Sequence, residues 1–270
     1  MNGKRGPLIL IGGAEDKEGP CLILRKFIGL AGGSKARIVI FTAATTQPHK
    51  TGENYRAVFA KLGCENTEVL DIPNRRAAAG EKALRLVANA SGVFFTGGDQ
   101  LRLTSALGGT ALLAALQERY EQGMVVAGTS AGASVMSSTM ITEGDSDDSP
   151  HLNTLKMSPG FGFVQGVVID QHFAQRGRSG RLLTALGQNP SVLGLGLDED
   201  TAVIIENNSL LVWGSQTVTI LDGTEITHTN ASLLEPRQYL ALTRIITHIL
   251  PHGYGYDMAK RLPVYHNQEI

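Results

Sequence analysis

The sequence predicts an α/β protein built on a mostly parallel β-sheet, to which the C-terminal half adds antiparallel strands. Three observations lead to this prediction. In the first half, short apolar runs alternate with amphipathic segments, and glycines bound many of these runs. In the second half, apolar runs follow one another with only turn residues between them. Alternation of strand and helix is typical of a parallel sheet with right-handed crossovers, whereas short turns favour antiparallel pairing.

Each of the first four apolar runs precedes a helix-like segment. The runs are mostly apolar throughout, which indicates strands that are covered on both faces. The strand-like runs are PLILI (7–11), RIVIF (37–41), EVLDI (68–72), GVFFT (92–96) and MVVAG (124–128). The helix-like segments are CLILRKFIGLAG (21–32), GENYRAVFAKLG (52–63), EKALRLVANA (81–90) and QLRLTSALGGTALLAALQERY (100–120).

The second half predicts antiparallel strands at one side of the same sheet. Turn residues separate its runs, which leaves no room for crossover helices. We find no repeat, low-complexity tract or linker, and we therefore expect one domain over residues 1–270. The runs are VLGLGLD (192–198), TAVIIEN (201–207), SLLVWG (209–214), TVTILDG (217–223) and YLALTRIITHIL (239–250).

Composition excludes several classes of protein. A formal net charge of −1 gives no electrostatic reason to expect nucleic acid or an anionic membrane as a partner. Cys21 and Cys64 lie in apolar, helix-like stretches, where buried free thiols are expected rather than a disulfide or a metal site. The apolar run near the start is too short for a secretory signal, and no stretch approaches the length of a membrane span. We expect a cytoplasmic protein.

Polar or glycine-rich residues follow the end of nearly every predicted strand. The carboxyl ends of parallel strands form the binding crevice of an open sheet, so these segments are expected to converge on one rim. They are Gly12–Asp16, Thr42–Thr46, Gly97–Gln100, Gly128–Gly132, Asp170–His172 and Asp198–Asp200.

The segment GTSAG (128–132) predicts a nucleophile elbow that presents Ser130. It directly follows an apolar run, and its glycines remove the Cβ atoms that would clash in a sharp strand-to-helix turn. An ordinary glycine-rich turn is the alternative, because this short pattern is common by chance.

A serine nucleophile requires a base, and His172 is the best-placed histidine because it follows a predicted strand directly. His151, in the loop after an acidic segment, is the weaker candidate. A carboxylate must in turn orient the imidazole. Asp170 and the three carboxylates of 198–200 are candidates, and spacing alone puts Glu199 only slightly ahead.

Backbone amides of Ala131 and Gly98 are candidates for an oxyanion hole. Ala131 begins the helix after the elbow, and Gly98 lies at the end of the neighbouring strand. The segment Gly12–Asp16 is not a dinucleotide loop, because it lacks the third glycine and carries two acidic residues. We predict no cofactor and no metal, since neither ligand spacing nor a calcium-loop pattern is present.

Charges of both signs flank the predicted rim. Arg176, Arg178 and Arg181 follow the histidine, and an acidic segment spans 143–148. A solvated basic run is the ordinary interpretation of the arginines. Beside a catalytic rim, however, guanidinium groups would suit a substrate carboxylate, and the acidic segment would suit a guanidinium or ammonium group.

These motifs together resemble the cyanophycinases, which share a serine-peptidase family with the aspartyl dipeptidases. The resemblance runs from about residue 8 to the C-terminus and rests on GGAED, TGGDQ, GTSAGAS, DQHFAQRGRSGRL and GLGLDEDTAV. It implies a flavodoxin-like three-layer α/β/α sandwich, similar to class I glutamine amidotransferases, and a homodimer. It also implies hydrolysis of cyanophycin, a poly-aspartate with arginine on each β-carboxyl, into β-aspartyl-arginine dipeptides released from the chain end.

The resemblance also assigns roles to individual positions. It places the catalytic triad on Ser130, His172 and Glu199, which resolves the choice of carboxylate. Asp145 is our candidate for the acidic group that would meet the substrate guanidinium. The positions that it implies for substrate contacts are Gln100, Asp170, Gln171, Arg176, Arg178 and Arg181.

Two other functions are also compatible with these residues. One is an aspartyl dipeptidase acting on small α-linked Asp-X peptides. The other is a catalytically silent, amidotransferase-like binding module. A glutamine amidotransferase is disfavoured, because that chemistry uses a cysteine at the elbow.

Overall fold

The computed structural model describes residues 5–144, 149–151, 155–235 and 238–265. The strands are β1 (Leu8–Ile11), β2 (Ile38–Phe41), β3 (Thr67–Leu70), β4 (Gly92–Phe95), β5 (Val125–Thr129), β6 (Thr139–Gly144), β7 (Leu155–Pro159), β8 (Val167–Gln171), β9 (Leu193–Leu197), β10 (Thr201–Glu206), β11 (Ser209–Gly214), β12 (Thr217–Asp222), β13 (His228–Thr229), β14 (Leu242–Thr243), β15 (Ile246–Pro251), β16 (Gly255–Asp257) and β17 (Leu262–Val264). The helices are α1 (Leu22–Leu30), α2 (Pro48–Lys61), α3 (Arg75–Ala78), α4 (Glu81–Asn89), α5 (Gln100–Leu107), α6 (Ala111–Glu121), α7 (Ala131–Ser134) and α8 (Ser179–Gln188).

A nine-stranded sheet forms the centre of the protein. Its order is β17-β16-β11-β10-β1-β5-β4-β2-β3. The five strands from β1 to β3 in that order are parallel, as predicted. On the other side of β1, the strands β10, β11, β16 and β17 pair antiparallel. The predicted α/β class, with parallel strands first and antiparallel additions from the C-terminal half, is confirmed.

A second sheet, of order β15-β12-β9-β8, is separate from the first. Three of its strands, β9, β12 and β15, were predicted to lie at one side of the first sheet, and that part of the prediction is wrong. Hydrophobic runs show that β9, β12 and β15 are strands, but they do not determine which partner each strand selects. Two glycines of β9 explain its place. A Cβ on Gly194 would press against Leu182 and Leu186 of α8, and one on Gly196 would overlap the Phe173 ring. Helix α8 therefore packs directly on this second sheet.

Two hydrophobic clusters lie on opposite faces of the nine-stranded sheet and give the layers of the fold. On one face, Phe27 of α1 and Phe59 of α2 pack against alternate strand residues. On the other face, residues of α4, α5 and α6 share a cluster with β8, β9 and β12 of the second sheet. No helix within the described residues combines the length and apolar character that crossing a bilayer would require.

The predicted helix over 100–120 is two helices, α5 and α6. Gly108 ends α5 and Gly109 adopts a φ of +67°, a left-handed conformation that glycine adopts without steric cost. Thr110 then caps α6 by accepting a hydrogen bond from the Leu113 amide at 3.3 Å. Apolar residues lie on both sides of this break, which is why the sequence predicts one segment.

Phe94 of β4 lies in an aromatic cluster on the face of the sheet that α1 and α2 cover, and it provides a test of this packing. The side chain is fully buried, and its ring centroid lies 5.6 Å from Phe27, 4.8 Å from Tyr55 and 5.6 Å from Phe59. We expect Phe94→Ala to lower the free energy of unfolding by ~3–5 kcal/mol, since it leaves a cavity in a rigid cluster. Urea unfolding measures this change. Leu22→Ala, at a side chain 46% exposed, is the control and should change it by less than ~1 kcal/mol.

Candidate active site

Ser130 lies on a sharp turn between β5 and α7. Its backbone adopts φ 52° and ψ −113°, a conformation that non-glycine residues rarely take. The two glycines that flank it are required by close backbone approaches. A Cβ on Gly128 would overlap the carbonyl of Gly132, and one on Gly132 would overlap the carbonyl of Phe95. The turn therefore holds the serine hydroxyl above the carboxyl end of the sheet.

His172 brings its imidazole to this hydroxyl from the second sheet. Nε2 lies 3.0 Å from Ser130 Oγ, and the residue directly follows β8. Its backbone has a φ of +49°, and its amide donates to the Gly12 carbonyl at 2.8 Å. The other histidine considered, His151, lies beside Tyr239 with ring centroids 5.8 Å apart.

The three carboxylates of 198–200 lie in the turn between β9 and β10, and each has a different partner. Glu199 Oε1 lies 2.6 Å from His172 Nδ1. Asp198 accepts hydrogen bonds from the Ala174 amide and the Thr217 hydroxyl, and Asp200 accepts one from the Asp16 amide at 2.8 Å. The hydroxyl, the imidazole and one carboxylate are thus joined in a continuous chain of hydrogen bonds. In such a chain, the imidazole can accept the hydroxyl proton while the carboxylate stabilises the resulting imidazolium.

The surroundings of His172 lower the pKa of its imidazole below the ordinary value of 6.5. Burial is the largest cause, and the positive charges of Arg176 and Arg178 act in the same direction. Hydrogen bonding to Glu199 and its charge oppose this shift without cancelling it. The imidazole is consequently neutral at neutral pH, which is the state that can accept a proton.

The loop after β1 lies against the imidazole ring of His172. A Cβ on Gly13 would overlap Cε1 and Nε2 of the His172 ring, and the residue has a φ of +102°. The carbonyl of Gly13 accepts a hydrogen bond from the Asp200 amide at 2.9 Å. Sequence reasoning placed this loop on the predicted rim and rejected it as a nucleotide site, but it assigned the loop no role beside the imidazole. The available signal was its place at a strand end on the predicted rim.

Gly97 and Gly98 bring the end of β4 next to the elbow. A Cβ on Gly97 would lie 3.4 Å from the Ser130 Cβ. Gly98 has a φ of +142°, and a Cβ there would overlap the carbonyl of Ala44. Within the described residues, neither the Gly98 amide nor the Ala131 amide donates a hydrogen bond to another backbone group. The two amides therefore keep the free donors that the oxyanion-hole hypothesis requires.

Two of the three arginines after His172 are buried rather than solvated. Arg181 forms an ion pair with the fully buried Asp170, with Nε 2.6 Å from Oδ2. Arg178 Nη1 reaches the same carboxylate at 3.3 Å and Gln171 Oε1 at 2.8 Å. Burial, with Arg181 and Arg176 nearby, lowers the pKa of Arg178 to about 10, so it stays protonated at neutral pH. Arg176 is exposed.

The remaining predicted contacts fall at the edge of this cluster. Gln100 begins α5, and its amide nitrogen donates to the carbonyls of Ile141 at 3.0 Å and Thr142 at 3.1 Å, which fixes β6 beside the site. Arg181 Nη1 contacts the Gly144 carbonyl at the end of β6. Asp145, the next residue, lies outside the described residues.

Sequence reasoning missed two further groups at the site. The side chain of Gln175 accepts a hydrogen bond from the Glu199 amide at 3.0 Å and so fixes the turn that carries this carboxylate. Glu15 is buried directly below the elbow and accepts a hydrogen bond from Thr129. Both residues lie in segments that the motifs include, but residue spacing does not reveal hydrogen bonds between distant parts of the chain.

Comparison with known proteins places this chain in a family. Residues 8–213 match the model of peptidase family S51. The chain is 40% identical over 263 residues to a cyanophycinase from Trichormus variabilis, covering 96% of this chain and 88% of that protein. It is 38% identical over 262 residues to a cyanophycinase from Geminocystis herdmanii, covering 96% of each. A peptidase E from a Nostoc species is 27% identical over 202 residues, covering 72% of this chain and 78% of that protein.

A solved structure supports the fold. A peptidase from an acI-B1 actinobacterium superposes with a TM-score of 0.71 at 24% identity, covering 95% of this chain and 98% of that one. At this level of identity the likeness concerns the fold alone.

Gly13 offers a test of how closely the imidazole is confined. We expect Gly13→Ala to slow labelling of Ser130 by a fluorophosphonate by ~100-fold, because the added methyl group displaces the ring from the hydroxyl. The matched control is Gly63→Ala, which has a φ of +89° and no atom near the added Cβ. The control shares the backbone strain but not the overlap. Equal labelling rates for the two variants would contradict the expectation.

Arg176 offers a test of the electrostatics. If His172 is the base for Ser130, labelling requires its neutral form. The rate should then fall as the pH drops through the pKa of this residue, which lies below 6.5 in the wild type. Arg176→Gln removes a charge that lowers this pKa, so the fall should occur at a higher pH. Arg244→Gln, at an exposed arginine paired with Glu225, is the control and should leave the profile in place. A profile for Arg176→Gln that moves to lower pH would show that the sign is wrong.

Proposed function

This chain belongs to peptidase family S51, and we propose that it is a serine exopeptidase that hydrolyses cyanophycin to β-aspartyl-arginine dipeptides. As a member of this family it is a peptidase and hence a hydrolase. The observation that carries the proposal is the continuous chain of hydrogen bonds from Ser130 through His172 to Glu199, with distances of 3.0 and 2.6 Å. The identity of 38–40% to proteins named cyanophycinase, over almost the whole chain, supports the choice of substrate.

In the proposed reaction, Ser130 Oγ attacks the carbonyl carbon of a backbone Asp–Asp bond. His172 Nε2 takes the hydroxyl proton as the Oγ–C bond forms, and Glu199 stabilises the imidazolium through Nδ1. The amides of Gly98 and Ala131 would hold the oxyanion, an interaction whose loss typically slows such reactions by ~100- to 1,000-fold. His172 then protonates the leaving amine, and water, activated by the same imidazole, hydrolyses the acyl-enzyme.

The cluster around Asp170 supports a substrate that carries carboxylates. Arg176, Arg178 and Arg181 bring three positive charges, and the single buried carboxylate of Asp170 neutralises only one of them. The remaining positive charge favours an anionic group, such as the terminal carboxylate of a polymer cut from its end. We propose that Arg176, Gln171 and Gln100 contact the substrate. We propose the same for Arg178 and Arg181, which the carboxylate of Asp170 keeps in place.

The substrate also has cationic arginine side chains, which would require an acidic partner. We propose that the acidic segment 143–148 supplies it, with Asp145 as the first candidate. The described end of this segment, at Gly144, is already in contact with Arg181. Charges of both signs would then lie close together beside the scissile bond.

An aspartyl dipeptidase acting on small α-linked Asp-X peptides is the second candidate. It is favoured by the similarity to a peptidase E. That similarity is lower and covers less of the chain than the similarity to the cyanophycinases. A silent binding module would have no need of a neutral, carboxylate-oriented imidazole at the serine hydroxyl. We further propose that the protein is a homodimer in the cytoplasm.

The proposed activity can be tested with insoluble cyanophycin. We expect the wild type to release soluble β-aspartyl-arginine, identified by mass spectrometry, and to cleave α-linked Asp-X dipeptides slowly or not at all. Ser130→Ala should keep the wild-type unfolding midpoint yet release at most ~1/1,000 of the product, because the nucleophile is absent. Ser105→Ala, at an exposed serine of α5, is the control and should retain activity.

Two results would contradict the proposal. Release of dipeptide by Ser130→Ala at a rate near that of the wild type would exclude Ser130 as the nucleophile. Cleavage of α-linked Asp-X dipeptides, with no product from cyanophycin, would favour the aspartyl dipeptidase instead.

A further inference from the structure

Glu15 is a carboxylate buried in the body of the protein, below the elbow. It is only 3% exposed, although it follows the glycine-rich end of β1 by two residues. A buried carboxylate is costly unless donors satisfy its oxygens, so its partners indicate what it is retained for.

Donors from three segments of the chain converge on this carboxylate. Thr129 Oγ1 donates to Oε2 at 2.6 Å, and the Tyr55 hydroxyl donates to Oε1. The ammonium group of Lys17 lies 2.9 Å from Oε1. Burial, together with the charge of Glu15, raises the pKa of Tyr55 well above its ordinary value, so the phenol stays protonated and continues to donate. Both oxygens of Glu15 are therefore occupied, and one of them is committed to Thr129.

Thr129 is the residue directly before the nucleophile. It is 3% exposed and ends β5, so its side chain is held in the sheet while the chain turns sharply at Ser130. The positive φ of Ser130 is a strained conformation that persists only when its surroundings hold it. A hydrogen bond from Thr129 to a buried carboxylate provides such a constraint at the start of the turn.

Glu15 belongs to the same loop that braces the imidazole. Two residues earlier, Gly13 lies against the His172 ring, and the Gly12 carbonyl accepts the His172 amide. One residue later, the Asp16 amide donates to Asp200 beside Glu199. The backbone of loop 12–16 thus contacts His172 and Asp200, the neighbour of Glu199. The Glu15 side chain of the same loop contacts Thr129, the neighbour of Ser130.

We propose that Glu15 is a positioning residue that sets the distance between Ser130 and His172 by holding Thr129. It touches neither the substrate nor the reacting atoms. The inference rests on the proposed role of Ser130 as the nucleophile. Because a misplacement of about 1 Å can slow a reaction by ~100-fold, loss of this hydrogen bond should reduce the reactivity of Ser130.

The experiment compares two substitutions of Thr129 that differ in the hydroxyl. The readout is the second-order rate of labelling by a small fluorophosphonate, which depends on the reactivity of Ser130 but not on recognition of cyanophycin. Thr129→Val keeps the branched shape and removes the donor, and we expect it to label ~10- to 100-fold more slowly. Thr129→Ser keeps the donor and should label within about threefold of the wild type.

Glu15→Gln and two matched controls complete the set. The glutamine keeps the volume but offers one acceptor oxygen in place of two, so it should slow labelling at least as much as Thr129→Val. Thr67→Val removes a buried hydroxyl from the edge strand β3, and Asp222→Asn alters a buried carboxylate that pairs with Arg261 and Thr224 away from the site. Both controls can lower the unfolding midpoint, but they should label within about twofold of the wild type.

The double variant tests whether the two residues act through one interaction. If they do, Glu15→Gln combined with Thr129→Val labels no more slowly than Glu15→Gln alone. If Glu15→Gln does not fold, the difference between Thr129→Val and Thr129→Ser decides the question. Wild-type labelling of Thr129→Val, or equal slowing of the valine and serine variants, would overturn the positioning role.

The same experiment separates this inference from the proposed function. If the wild type labels at Ser130 and the valine variant labels equally fast, the positioning role is wrong and the serine peptidase stands. If the wild type does not label while Ser130 remains accessible, the nucleophile assignment is wrong, and the positioning role is overturned with it.

Discussion

A backbone hydrogen bond from the His172 amide to the Gly12 carbonyl joins the two sheets at the candidate active site. The serine hydroxyl comes from the nine-stranded sheet, whereas the imidazole follows β8 of the smaller sheet. The carboxylate of Glu199 lies on the turn that leads from the second sheet back to the first. The three groups can therefore meet only where the two sheets are held together, and the loop after β1 provides that connection.

Strained backbone is concentrated around this junction. Ala14, Ser130, His172 and Asp200 all have positive φ values, although none of them is glycine. Each such conformation costs of the order of 1–3 kcal/mol and requires surroundings that over-determine it. Here the surroundings are backbone hydrogen bonds between loops, close glycine contacts and the buried Glu15. The apolar clusters stabilise the fold as a whole, while these polar contacts set the geometry of the site.

Much of the fold could be predicted from the sequence, because the runs of β1 to β5 are apolar and are separated by helical segments. The pairing partners of the strands in the second half could not be predicted, since a run such as LGLGL can form a strand in either sheet. At the site, Ser130 and His172 follow strands and could be identified by position. Glu199 could not be separated from Asp198 and Asp200, because they occupy a turn whose backbone, not strand alternation, directs each side chain. The burial of Arg178 and Arg181 against Asp170 likewise depends on how α8 packs.

The contacts that complete the site span long separations in sequence, and this affects the order in which it can form during synthesis. The hydrogen bond between Thr129 and Glu15 joins residues that are 114 positions apart in the sequence, and the one between Asp16 and Asp200 joins residues 184 positions apart. A nascent chain can pair its first five strands and build the elbow well before Glu199 has left the ribosome. Contacts between residues so far apart in the sequence form slowly and late. The growing polypeptide therefore carries Ser130 before His172 and Glu199 can lie beside it, and the three side chains can meet only after residue 199 has been synthesised.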